Sequence, residues 1–240
     1  MISDFQKNFI VEGNIGAGKS TFLRFIEERL PVQIVYEPHA KWQQVDQKEN
    51  LLDKFYKDAK RWAYTFQSYA FVTRVIEQQQ KAKENQFSFQ VLERSVYSDR
   101  YCFARNCFEM GVMSELEWNL YCEWFEWLVE LYAVKPSGFI YLRTSPEVSY
   151  GRIKIRGRQE ESAVPFSYIE QLHTKHEQWL VEKVGVAPYL VDTPVLILDC
   201  DGDFENDPEI LEHHLSNIAK FIGANLLPSS RPTQTITRHL

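Results

Sequence analysis

Five short apolar runs punctuate the chain: NFIV (8–11), VQIVY (32–36), FQVLE (89–93), GFIYL (138–142) and PVLILD (194–199). Each is dominated by apolar residues, β-branched and aromatic ones among them, the pattern of a strand buried on both faces. Longer stretches of helical period separate them. The predicted connections are therefore helical crossovers, and the predicted fold is α/β, a five-stranded parallel sheet with helices on both faces. Trp62 to Lys83 reads as a helix on which Gln67, Ala70 and Arg74 fall at i, i+3 and i+7 along one stripe. A second helix opens near Ser98, sets Asp99 and Phe103 at i and i+4 on one side, and meets Gly111 as its C-cap. The run ELEWNLYCEWFEWLVELY, Glu115 to Tyr132, is apolar and aromatic over most of its circumference, which predicts a central core helix or a subunit interface.

Composition narrows this picture without changing it. The 240 residues show no internal repeat and no Pro/Gly-rich linker, so residues 1–225 are expected to form one domain. LLPSSRPTQTITRHL, from Leu226 to Leu240, lacks an apolar period and carries two prolines, and is expected to be a mobile tail. A formal net charge of −6 argues against nonspecific nucleic-acid binding, which draws its affinity from phosphate neutralisation. No apolar run is long enough to span a bilayer, and MISDFQKNFIVEG lacks the marks of a signal or transit peptide, so a cytoplasmic location is expected. Cys102, Cys107, Cys122 and Cys200 show no C-x-x-C spacing and read as packed thiols.

The chemistry begins at FIVEGNIGAGKST, Phe9 to Thr21. Gly13, four residues, then Gly18, Lys19 and Ser20 is the P-loop spacing, placed between a strand-like and a helix-like run. A loop that wraps a polyphosphate must turn several backbone N–H groups inward, through φ > 0 turns and a close approach that a Cβ would block. The backbone of Gly13, Asn14, Ile15, Gly16, Ala17, Gly18 and Thr21 would line that wrap. Lys19 would reach the β- and γ-phosphates, and Ser20 would ligate Mg²⁺. In a parallel sheet ligands bind beyond the carboxyl ends of the strands, where Glu37-Pro38 and Glu93-Arg94-Ser95 also fall. All three strand ends should converge on one crevice.

Taken together, GNIGAGKST, YEPHAKW, RWAYTFQSYA, ERSVYSDRYCFA, RIKIRGRQEE and CDGDF resemble the deoxyribonucleoside kinase family, on its deoxycytidine and deoxyguanosine kinase branch. The similarity runs from about Asn8 to Phe221, with the motifs in the family's order. The resemblance implies a P-loop kinase fold with an arginine-rich lid at about 152–161, and transfer of the γ-phosphoryl group of ATP to the 5′-hydroxyl of a deoxynucleoside in nucleotide salvage. It also implies a homodimer through the helix around Ser98–Met110 and the aromatic helix that follows.

Phosphoryl transfer needs an oriented nucleophile, neutralised charge on the moving group and exclusion of water. By resemblance, Glu37 accepts the 5′-OH proton, Glu93 joins the Mg²⁺ shell, and Arg94 sits between phosphates, nucleophile and Glu37. Arg152, Arg156 and Arg158 close over ATP. Three arginines within seven residues would repel one another unless an anion neutralised them, and a triphosphate does so. Glu161 turns to the sugar 3′-OH, which Tyr56 shares, and Asp203-Phe204 embrace the adenine.

For the acceptor base, Gln67 offers donors and an acceptor to one edge, while Trp42, Phe66 and Phe103 match the family's stacking positions. Ala70, Arg74 and Asp99 match the deoxycytidine and deoxyguanosine branch, and an Arg74–Asp99 pair would occupy the place of thymine's 5-methyl group. Thymidine is thus expected to be a poor substrate, with deoxycytidine, deoxyadenosine and deoxyguanosine left open. The chain departs from the best-known members at His39 and Phe55. Two other readings join a P-loop to different chemistry. A nucleoside-monophosphate kinase would need a basic site for the acceptor's phosphate, where this chain offers Glu37. A nucleotide-hydrolysing switch could use LILD as a Walker-B-like strand, but no N-K-x-D guanine-reading motif occurs.

Overall fold

A computed structural model describes residues 7–84 and 87–228. The five apolar runs form one parallel sheet, β1 (Lys7–Glu12), β2 (Gln33–Val35), β3 (Phe89–Glu93), β4 (Gly138–Arg143) and β5 (Val195–Asp199), in the order β2-β3-β1-β4-β5. β2 is shorter than the run that announces it. β1 is followed by α1 (Lys19–Arg29), and β2 by α2 (His39–Gln43), α3 (Leu51–Lys57) and α4 (Ala59–Glu84). After β3 comes a helix in three parts, α5 (Val96–Ser98), a π-helical segment (Asp99–Ala104) and α6 (Arg105–Glu109), then α7 (Glu115–Tyr132). After β4 come α8 (Pro146–Arg156), a 3₁₀ turn (Gln159–Glu161), α9 (Phe166–His176) running into a second π-helical segment (Glu177–Val181), and α10 (Pro188–Val191); α11 (Pro208–Ile222) follows β5.

Strand residues alternate between two cores, as a period of two requires. Phe9, Val11, Val91, Ile140 and Leu142 pack with Phe22 and Leu23 of α1 and Leu215 and Ile218 of α11. Ile10, Leu92, Phe139 and Tyr141 face the opposite layer, with Phe66 and Phe71 of α4 and Trp118 and Phe125 of α7. The helix starts carry the expected oxygens: Ser95 accepts from the backbone of Tyr97 and Ser98, Asn50 from Asp53, and Asp207 from Glu209 and Ile210, each filling N–H groups that the first turn leaves open.

The aromatic helix is a core helix on one side only. Trp118, Tyr121 and Phe125 of α7 are buried, while Leu116, Leu120, Trp124, Trp127 and Leu131 form an exposed stripe. At the other end of the chain Leu227 exchanges hydrogen bonds with Arg29 at 2.8 and 2.9 Å, and the remainder of the expected tail, from residue 229, lies outside the described residues. Among the described residues no helix is long and apolar enough to cross a membrane.

In this sheet β1 pairs with β3 on one side and β4 on the other, so the direction of winding changes at β1. The register sets Val11 opposite Glu93 and Glu12 opposite Tyr141, which brings the first and third strand ends level. The crevice opens there.

Candidate active site

The turn after β1 is shaped by its glycines. Gly16 and Gly18 have φ of 81° and 87°, and a Cβ would lie 2.2 Å from the Ser149 carbonyl at the first and 2.8 Å from the Phe204 ring at the second. Lys19 is buried beneath the loop, where its Nζ donates to the carbonyls of Gly13 (3.1 Å) and Asn14 (2.8 Å). Burial, with Arg94 adding to it, pushes the ammonium down to about 7. Asn14 ties the loop to α9 through the Ile169 carbonyl at 2.9 Å. Ser20 Oγ donates to Glu93 Oε1 at 2.6 Å, which puts two hard oxygens side by side at the loop's mouth. Among the described residues no group of three or more His, Cys, Asp or Glu could hold a metal ion. A divalent cation on Ser20 and Glu93 would draw its other ligands from phosphate and water, the habit of Mg²⁺.

Beside the loop the strand ends build a charged network. Arg74, from α4, is buried and forks onto Asp99: Nε to Oδ2 at 2.9 Å and Nη2 to Oδ1 at 3.1 Å. The same Nη2 reaches Glu37 Oε1 at 2.8 Å, and Nη1 reaches the Glu93 carbonyl at 3.3 Å. The charges around it hold the Arg74 guanidinium in its charged form despite burial. Burial would raise the Glu37 carboxyl, but Arg74 first, then Arg94 and Lys19, outweigh it and hold the group down at about 2. Arg94 has φ of 61° and lies 3.6 Å from Glu37 and 4.6 Å from the Phe103 ring, and its buried Nε and Nη1 have no hydrogen-bond partner. A fixed cation with open donors is a site for an anion.

These groups face a cavity of about 440 Å³. Ile15, Gly16, Gly18, Lys19, Ser20 and Thr21 line one end of it, and Trp42, Tyr56, Phe66, Gln67, Ala70, Arg74, Asp99 and Phe103 the other, with Glu37, Glu93, Arg94, Arg156, Arg158 and Glu161 between. Trp42 meets Phe66 edge to face at 5.6 Å, and Phe55 stacks on Phe66 at 4.9 Å. Gln67 is buried, its amide 3.9 Å from Cys107 Sγ, a contact too long and soft to use up its hydrogen-bonding capacity.

The lid arginines divide. Arg156 Nη2 contacts both Glu161 oxygens, at 2.7 and 2.6 Å, and Arg158 lies 3.6 Å from the same carboxylate. Arg152 instead donates to the carbonyls of Cys200 (2.8 Å) and Gly202 (2.9 Å), with its guanidinium 5.8 Å from the Phe204 ring. Phe204 is buried against Gly18 and Phe22, while Asp203 is exposed and binds Asn206. Arg152, Asp203 and Phe204 thus gather at the β5 loop beside the P-loop, apart from the cavity wall that Arg156 and Arg158 share.

Four contributors escape the sequence reading. Tyr36, Leu52 and Tyr168 line the cavity but carry no motif, since single aromatic or aliphatic residues on periodic elements look like core. Glu12 ends β1, fully buried, with Oε1 accepting from Ser95 Oγ at 2.6 Å and Oε2 unpaired. Burial pushes its carboxyl up to about 7. Its place at the end of an apolar run gave no sign of this burial.

The family model described as "Deoxynucleoside kinase" matches residues 9–223. The chain is 40% identical to "Deoxycytidine kinase 2" of Gallus gallus, over 92% of this chain and 93% of that protein. It is 42% identical to a probable deoxycytidine kinase of Fowlpox virus (strain NVSL), over 90% and 88%, and 38% identical to a mitochondrial deoxyguanosine kinase of Xenopus laevis, over 90% of each.

Proposed function

The chain belongs to the deoxynucleoside kinase family and is an ATP-dependent kinase of nucleotide salvage, and from that premise we propose that Glu37 accepts the proton of the acceptor's 5′-hydroxyl. The observation that carries this reading is the position of Glu37, an ionised carboxylate on the cavity wall between the P-loop and the aromatic base site.

A carboxyl held at about 2 is a weak base, yet two of the three cations that hold it down are groups a triphosphate would engage. As Lys19 and Arg94 turn their charge to phosphate, Glu37 regains basicity. A loose phosphoryl-transfer transition state asks little of the base beyond orienting the hydroxyl and taking its proton late. Arg94, with open donors, would contact the moving phosphoryl group, and Arg156 and Arg158 would complete its neutralisation. Arg152 would hold the β5 loop around the donor base with Asp203 and Phe204. Ser20 and Glu93 would hold Mg²⁺, which would supply positive charge against the phosphates. Tyr56 and Glu161 would bind the sugar 3′-OH.

The Arg74–Asp99 fork fills the side of the base site with buried charge, so a base that can hydrogen-bond there is favoured over one presenting a methyl group. The acceptor is accordingly deoxycytidine, deoxyadenosine or deoxyguanosine. ADP release from ATP·Mg²⁺ is measured with each of the four deoxynucleosides and with their monophosphates. Turnover with at least one of the three and little with thymidine is the expected outcome. Turnover with monophosphates alone, or efficient use of thymidine, refutes this reading.

The exposed stripe at 116, 120, 124, 127 and 131 follows helical spacing on α7, and Val72 and Ile76 of α4 are exposed as well. A patch of that kind supports a homodimer through α7. Light scattering at micromolar concentration should give twice the chain mass; a monomer would remove the dimer.

A further inference from the structure

The helix that carries the base wall also touches the lid. His39 and Gln43 stand at i and i+4 on α2 and so share one face of it. His39 Nε2 lies 3.2 Å from Arg158 Nη1, and Gln43 Nε2 donates to Glu160 Oε1 at 2.6 Å. Arginine can only donate, so Nε2 of His39 accepts and the ring proton of this contact belongs on Nδ1. These two links join segments 119 and 117 residues apart in the chain. Glu160, the lid end of the second link, is buried at 8% exposure. On the same short helix, Trp42 closes the base site and is itself anchored by its indole N–H to Thr73 Oγ1 of α4 at 2.9 Å.

We propose that His39 and Gln43 form a two-point clasp between the acceptor wall and the lid, with His39 a positioning residue that presents Arg158 to the donor phosphates. The proposal rests on the lid reading above. It gives His39, where the chain departs from the best-known kinases of its resemblance, a task toward the donor although it stands on the acceptor side. The clasp has two consequences. Arg158 is held at the cavity wall before ATP arrives, which lowers the cost of ordering it on binding. And because Trp42 and the clasp share one short helix, filling the base site steadies the lid, so each substrate strengthens binding of the other by the same factor.

The test varies ATP at low and at saturating concentration of whichever of the three deoxynucleosides turns over fastest, for the wild type and for His39→Phe, His39→Gln, Gln43→Ala and Arg158→Ala. In His39→Phe the ATP KM should rise about five- to tenfold, the cost of one ordinary hydrogen bond. The dependence of that KM on the acceptor deoxynucleoside should vanish. His39→Gln, whose carbonyl oxygen can accept from Arg158, should restore both, a rescue that a space-filling role would not show. Gln43→Ala, at a half-buried position, should raise the ATP KM about threefold even if the histidine variants fold poorly. An ATP KM within twofold of wild type in both His39→Phe and Gln43→Ala overturns the clasp, as does failure of His39→Gln to rescue a folded enzyme. Arg158→Ala separates the two layers: if it leaves ATP kinetics unchanged, the lid reading fails and takes the clasp with it, whereas an effect there with none at His39 defeats the clasp alone.

Discussion

The two halves of the cavity are built in different ways. The P-loop end is one continuous stretch, Gly13 to Thr21, which offers backbone amides and a single buried lysine. The other end is drawn from the turn after β2, α2, α3, α4, the segment after β3 and the 156–161 segment, and its groups are side chains held by one another. A polyphosphate presents the same charges whatever base it carries, so a fixed backbone cradle suffices. A nucleoside must be distinguished from its neighbours, which takes convergent polar groups and shaped walls. Recognition that is generic can be local in sequence; recognition that is selective has to be assembled.

The largest effect is expected at the P-loop. Lys19→Ala should abolish turnover, by about 10³-fold or more, together with ATP binding, because no other described side chain donates from beneath the loop. Calorimetry that still detects tight ATP binding in this variant would show that the cradle does not depend on its lysine.

A smaller effect lies where the halves join. Glu12 sits at the root of the P-loop and accepts from Ser95, which caps the helix behind Arg94. The folded chain keeps a proton on this carboxyl up to about 7, while its ordinary value is 4.5. Its contribution to stability is therefore full below about 4.5 and is lost as pH rises toward 7. Glu12→Gln keeps the Ser95 contact and removes the titration, so the variant should gain stability relative to wild type across that window. Thermal unfolding between pH 4.5 and 8 reads the difference. Parallel curves would mean that Glu12 is not forced to carry a proton in the fold.

Legibility in the sequence follows the same division. The sheet was readable because buried parallel strands leave short apolar runs, and the P-loop because its glycines and lysine are contiguous. Glu37 was legible as a candidate from its place at a strand end, and its partners Arg74 and Asp99 through resemblance. Their mutual bonding, one guanidinium serving two carboxylates, comes from folding together α4, the segment after β3 and the end of β2. The π-helical turn at Asp99 to Ala104 left no mark in the periodicity, since one wider turn shifts phase less than the sequence pattern can resolve. Arg152 looked like its two neighbours in the lid, yet it stands a turn earlier on α8 and turns to the β5 loop. Glu12 was hidden by its setting, because a polar residue ending an apolar run reads as the start of a loop.

The central claim is that Glu37 acts on the acceptor hydroxyl and not on the donor. Glu37→Gln keeps the shape and a hydrogen-bonding oxygen while removing the base, so turnover with the preferred deoxynucleoside should fall about 10²–10⁴-fold. ATP binding, measured in parallel by calorimetry, should stay near that of the wild type. A near-wild-type rate, or a loss of ATP binding equal to the loss of turnover, would contradict the account and return the proton of the hydroxyl to another group.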